Sequence, residues 1–249
     1  MVDFIGPPAG ATRNRPICEE LRAVLAAAAE EVGVDLVRIT SGGQPGTHGR
    51  RTGSTRHDGG RAADLQLCVG GVTKTFTDRR GGAVVEGFVT AVAGFGATGI
   101  GAGVGYMGNR TLHVGFGRTP SDTSRLVWGE DFTGATAPAW LRMAAEAGWA
   151  AARPAPEIAP PSEDLPARFK VAARSGLKLR LGPALDFGVV EVMPADREVT
   201  VLGFDGPGAD WARIDLEDDG QVDGHAFAAF LRRVDTVSGG RFEDREEPA

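Results

Sequence analysis

The 249-residue sequence predicts an α+β domain followed by a small all-β unit. Three observations carry that reading. Residues 1–152 mix apolar runs of helical period with alternating runs of strand period. Residues 167–235 hold only short alternating runs broken by Gly, Pro and Asp, the pattern of a small barrel or sandwich. Between them, residues 153–166 are rich in proline with small and acidic neighbours, a stiff spacer that cannot bury itself. Such a spacer predicts two units with few contacts across it. Residues 236–249 read as a flexible acidic tail.

The elements follow in order. Ile17, Leu21, Val24, Leu25, Ala28 and Val32 recur at helical spacing, with Glu19 and Glu20 in the first turn, so a helix is expected over 17–32. Residues 35–40 alternate and are β-rich, which predicts a strand. Helices are expected over 84–92 and over 137–151, the latter opened by Pro138. Residues 111–116 read as a short strand that follows a Gly-rich loop. In the second unit the strand-like runs start at Phe169, Gly188, Glu198 and Trp211.

Composition excludes several classes. No apolar run reaches the roughly 18 residues of a membrane span. A net charge of −6 argues against the broad basic footprint of a nucleic-acid binder. Two cysteines make no disulfide framework, and Cys18 and Cys68 both sit in apolar, core-like contexts. The opening Met1-Val-Asp-Phe-Ile-Gly-Pro-Pro lacks the basic and apolar regions of a secretory signal.

Histidine is scarce, with four in the chain, and two stand in unusual company. His57 lies seven positions before Asp64, with Gly60 and Ala62 between them, and His113 falls on the expected strand. Imidazole and carboxylate both suit Zn²⁺, and three protein ligands with one open position describe a catalytic zinc site. The small intervening residues let the backbone fold back so that two ligands converge. A His near an Asp also occurs as a surface pair or a satisfied core group, so spacing alone leaves both readings open.

The run Thr40-Ser41-Gly42-Gly43-Gln44, then Ser54-Thr55-Arg56-His57-Asp58-Gly59-Gly60-Arg61-Ala62-Ala63-Asp64, then Leu112-His113-Val114 resembles the M15-type zinc peptidases. These are D-Ala-D-Ala carboxypeptidases, dipeptidases and phage endopeptidases of the Hedgehog/DD-peptidase fold. The likeness spans roughly residues 36–117 and rests on His57, Gly60, Ala62, Asp64 and His113; Thr55 takes the family's Ser position. It implies zinc held by His57, Asp64 and His113, and hydrolysis of peptidoglycan stem peptides in the periplasm or cell wall. Two positions depart from the family. Arg110 stands where the general-base carboxylate is expected, and Gln44 replaces the Arg that faces the oxyanion. Gln44 then becomes the candidate oxyanion donor, and Asp58 and His48 the candidate bases, although His48 also reads as an exposed loop residue. The rival reading is a weak or inactive, zinc-stabilised cell-wall-binding protein.

Three neighbouring features bear on the site, and the last two keep two readings each. The glycine-rich run from Ile100 to Gly108 reads as a loop that lets substrate approach the zinc. Tyr106 within it offers a hydroxyl or packs in the core. Arg50, Arg51, Arg56, Arg61 and Arg110 bind a substrate carboxylate or form solvated surface.

Residues 168–234 resemble bacterial SH3-type domains through Gly176-Leu177-Lys-Leu179-Arg180-Leu-Gly182-Pro183 and Trp211-Ala-Arg-Ile. The closing run from Asp223 to Leu231, with Phe227 and Phe230, replaces the family's usual aromatic ending. Such modules tether enzymes to cell-wall peptides, which are the partner this resemblance implies.

Overall fold

Helical and alternating periods resolve into two separate sheets, with helices packed against only one of them. The computed structural model describes residues 2–7, 13–44, 54–157, 165–205 and 210–234. The first sheet is built from β1 (Asp3–Ile5), β2 (Leu36–Ser41), β3 (Ala62–Val69), β4 (Val72–Thr73), β5 (Gly99–Gly101), β6 (Leu112–Gly115) and β7 (Leu126–Trp128). Its order is β1-β2-β3-β6-β5-β7, with β4 paired to β3. The pairs β1/β2 and β5/β7 are parallel and the others antiparallel.

Helices α1 (Glu19–Glu31), α2 (Arg79–Gly94) and α4 (Ala139–Ala150) cover one face of this sheet; α3 (Val104–Met107) is a single turn. Leu21, Leu25, Phe88, Val92 and Leu141 from the helices meet Val37, Leu65, Leu67, Ile100, Leu112 and Val114 from the strands in one buried cluster. Each such apolar side chain contributes about 1.5–3 kcal/mol when fully buried. Helix α2 begins ahead of Val84, where the apolar pattern starts. The reason is Asp78, whose Oδ1 accepts from Gly81 N at 2.6 Å and caps the helix. Helix α4 opens directly after Pro138, as expected. The Ile100–Gly108 stretch is not a plain loop: its start is the end of β5, and α3 lies within it.

The second sheet holds β8 (Ala167–Val171), β9 (Leu177–Arg180), β10 (Val189–Met193), β11 (Glu198–Asp205), β12 (Trp211–Asp215), β13 (Gly224–Phe227) and β14 (Leu231–Arg233). Its order is β10-β9-β13-β12-β11-β8-β14, antiparallel throughout. Val171, Leu177, Leu179, Met193, Val201 and Ile214 form its own buried cluster. The expected barrel is not closed: β10 and β14 are free ends of the path. Strand β14 is only three residues long and presents exposed Arg232 and Arg233, charges that discourage edge pairing. Among the described residues no helix is long and apolar enough to cross a membrane. The 236–249 stretch lies outside the described residues.

Candidate metal centre

Strand register builds the site. Asp64 on β3 is the direct partner of His113 on β6, and His113 is the partner of Gly101 on β5. The row extends to Ser41 on β2 and Trp128 on β7. Side chains alternate along a strand, and Leu65, Leu112 and Val114 point into the helix-covered core. Asp64 and His113 therefore share the opposite face. Gly101 keeps this row open: a Cβ there would run into the Trp128 indole, which instead lies across Gly101 and packs on His113 with ring centroids 4.7 Å apart.

His57 arrives from a different direction. It ends a short 3₁₀ turn, Thr55–His57, whose cap Ser54 accepts from Arg56 N at 3.2 Å. Downstream, Gly60 takes φ +69°, and a Cβ on it would strike Pro16 O and Cys18 N. That turn lets the chain double back from His57 to Asp64, the convergence expected from the small residues between them. His57 Nδ1–H donates to Gly42 O at 2.8 Å, which leaves Nε2 free and aimed at Asp64 Oδ1, 3.7 Å away. His113 Nδ1 lies 2.9 Å from the same Oδ1. The two imidazoles meet edge-on with centroids 4.9 Å apart.

One ligand atom from each of His57, Asp64 and His113 lies within 4.8 Å of the others, so this group can hold a metal ion. The histidines are 1% and 4% exposed. Burial pushes the His57 pKa down to about 4, with help from neighbouring His113 and Arg13 and against the pull of Asp64. His57 is thus neutral near pH 7, the form that ligates metals. Burial works against ionisation of Asp64. The His113 hydrogen bond and charge, joined by His57 and Arg13, outweigh it and hold the carboxyl below its usual range. Two imidazoles and one carboxylate are a donor set that fits a divalent cation of borderline softness. The Nδ1–H to carbonyl bond of His57 is the outer support that fixes a ligating tautomer. His113 Nε2, by contrast, is buried with no hydrogen-bond partner among the described residues.

The other sequence-predicted residues fall elsewhere. Gln44 is 2% exposed, and its Nε2 donates to Ser54 O at 2.9 Å and Asp58 Oδ1 at 2.8 Å. Gln44 and Asp58 are brought together with each other, bracing the turn that carries His57. His48, Arg50 and Arg51 lie outside the described residues, as does the Tyr106 side chain. Arg110 is exposed on the bend before β6. Arg61 is committed to Gly117 O at 2.9 Å and Thr119 O at 3.2 Å. Arg56 stacks on Trp128, its Cζ 5.3 Å from the ring centroid. Cys68 is buried; Cys18 is half-buried, and burial pushes its thiol up to about 12.

Sequence reading missed Arg13, whose Nη1 lies 3.4 Å from Asp64 Oδ2 and 3.5 Å from Ser41 Oγ. Nothing in its local pattern marks it, because the pairing spans 51 positions. Trp128 was equally silent, on a three-residue strand. Strand β3 did carry a signal: Asp64 and Gln66 alternate with Leu65 and Leu67. Comparison with protein-family models, curated proteins and solved structures found no match for this chain.

Proposed function

We propose that the chain is a zinc-dependent peptidase acting on peptidoglycan stem peptides, with the second unit directing it to the cell wall. In this reading the first unit is a Hedgehog/DD-peptidase-type domain and the second a bacterial SH3-type domain, both on the motif resemblance. The observation that carries it is the convergence of His57 Nε2 and His113 Nδ1 on one oxygen of Asp64. A zinc ion, when bound, supplies Lewis-acid polarisation of a peptide carbonyl and acidifies water at neutral pH.

The chain's own residues supply the rest. Gly42 O orients His57; Trp128 backs His113. Arg13 places a cation beside Asp64 Oδ2 and helps to keep that carboxylate ionised. Gln44 and Asp58 hold the His57 turn in place, and Asp58 and His48 are the candidate bases for the proton transfer. The test is release of free amines from purified peptidoglycan by zinc-loaded protein. Release that disappears in His113→Ala supports the reading; zinc bound without release overturns it.

A second reading is favoured by one observation. Arg110 cannot accept a proton, and the Gln44 amide and Asp58 carboxylate are engaged with each other. A zinc-stabilised cell-wall-binding protein with little or no hydrolysis fits those facts, and bound zinc without amine release is its signature.

A further inference from the structure

The spacer predicts few contacts between the two units, yet the segment Arg13–Cys18 is gripped from both sides. On its inner side it is zipped to the loops that carry the metal ligands. Gly42 N donates to Arg13 O at 2.8 Å, Arg15 N to Gly43 O at 3.1 Å, and Gly43 N back to Arg15 O at 2.8 Å. Cys18 N donates to Gly60 O at 2.9 Å, between His57 and Asp64. Gly42 is the residue whose carbonyl orients His57, and Arg13 is the residue that reaches Asp64.

The outer side of the same segment is held by the second unit. Arg15 pairs closely with Asp223 and also reaches Glu217 Oε1 at 3.4 Å. Asp223 is itself fixed: its Oδ2 accepts from Leu216 N at 2.7 Å. Asp215 closes the intervening turn by accepting from Asp218 N at 2.7 Å and Gly220 N at 2.8 Å. Gln221 from this turn packs directly on Gly59, two residues after His57. Nearby, Arg213 meets Glu19 at 3.2 Å.

We propose that the second unit is a working part of the metal centre: the Arg15–Asp223 pair holds the Arg13–Cys18 segment so that His57 and Asp64 are preset for the ion. Arg15 and Asp223 are positioning residues. They act through the Gly42 carbonyl and Arg13, and touch no ligand themselves. The inference rests on the metal-centre reading above and is independent of peptidase activity.

The experiment measures zinc affinity of the full chain by competition with a chromogenic chelator. Outer supports of metal ligands are typically worth about 10–100-fold in affinity. Asp223→Asn and Arg15→Gln should each weaken zinc by about tenfold, and the double variant no further, because both remove one contact. Asp223→Glu, which keeps the charge, should recover part of the loss. In the chelated protein, the His57 Nδ1–H imidazole proton should exchange with solvent faster in Asp223→Asn than in wild type. Arg168→Ala, which removes the exposed Arg168–Asp218 pair of the second unit, controls for general loosening of that unit and should leave zinc affinity unchanged. If Asp223→Asn does not fold, Arg15→Gln carries the measurement. Wild-type affinity in both single variants overturns the inference alone, and so does a double variant showing the product of the two losses. A wild-type chain that binds no zinc overturns the metal-centre reading and this inference with it.

Discussion

Asp64 divides its two oxygens between unlike neighbours: Oδ1 faces both imidazoles and Oδ2 faces Arg13. That division keeps the carboxyl ionised in a buried place, and the same burial keeps His57 neutral. The consequence for the metal-free protein has a definite sign. An unfolded histidine takes up a proton near pH 6.5, whereas folded His57 does so only near pH 4. Stability is therefore intact above about pH 6.5 and falls as pH drops toward 4, by roughly 3 kcal/mol over that window. Urea unfolding of wild type and His57→Gln in chelator, from pH 7 to 4, should show a difference that shrinks with acid; a flat difference would refute the assignment. At this scale the group that can hold a metal was legible, because scarce histidines beside a small-residue run and an Asp carry chemistry in their spacing. Arg13 was not legible, because its partner is brought to it only by the fold.

At the scale of elements, register sets the site: a shift of β6 by one residue would turn His113 into the helix-covered core and Leu112 out of it. The row from Asp64 through His113 to Gly101 ends under the Trp128 indole. Gly101→Ala should push that ring away and destabilise the fold by about 1–3 kcal/mol, the usual cost of overpacking, with a change in tryptophan emission. Unchanged stability and emission would show that the indole does not depend on this glycine. The helices were readable from apolar period, and Asp78 was a cap signal in plain view upstream of Val84. Strands β1, β5 and β7 were not readable: each has three residues, too few to show a period. Barrel closure was expected from the SH3-type resemblance, since strand spacing left barrel and sandwich open, and short motifs are blind to whether the ends of a sheet meet.

Across the whole molecule, the proline-rich stretch divides two hydrophobic clusters that share no residue. The two units are nevertheless joined through Arg15, Asp223 and Glu217 and through Glu19 and Arg213, and Phe187 packs against Gly6. Calorimetry of the full chain should show a single cooperative transition that Arg15→Ala separates into two; two transitions already in wild type would mean that the interface couples nothing. Composition pointed to a division into two parts, but a stiff spacer says nothing about whether a distant N-terminal segment bridges them. The candidate metal centre lies at the crossing of these scales, and its occupancy is the most direct measurement. Protein loaded with zinc, then dialysed against a mild chelator, should retain one ion per chain, with X-ray absorption showing two imidazole nitrogens in the shell. His57→Ala, Asp64→Ala and His113→Ala should each retain none, since two remaining ligands hold zinc poorly. An ion kept at full occupancy in any one of the three variants would contradict the account.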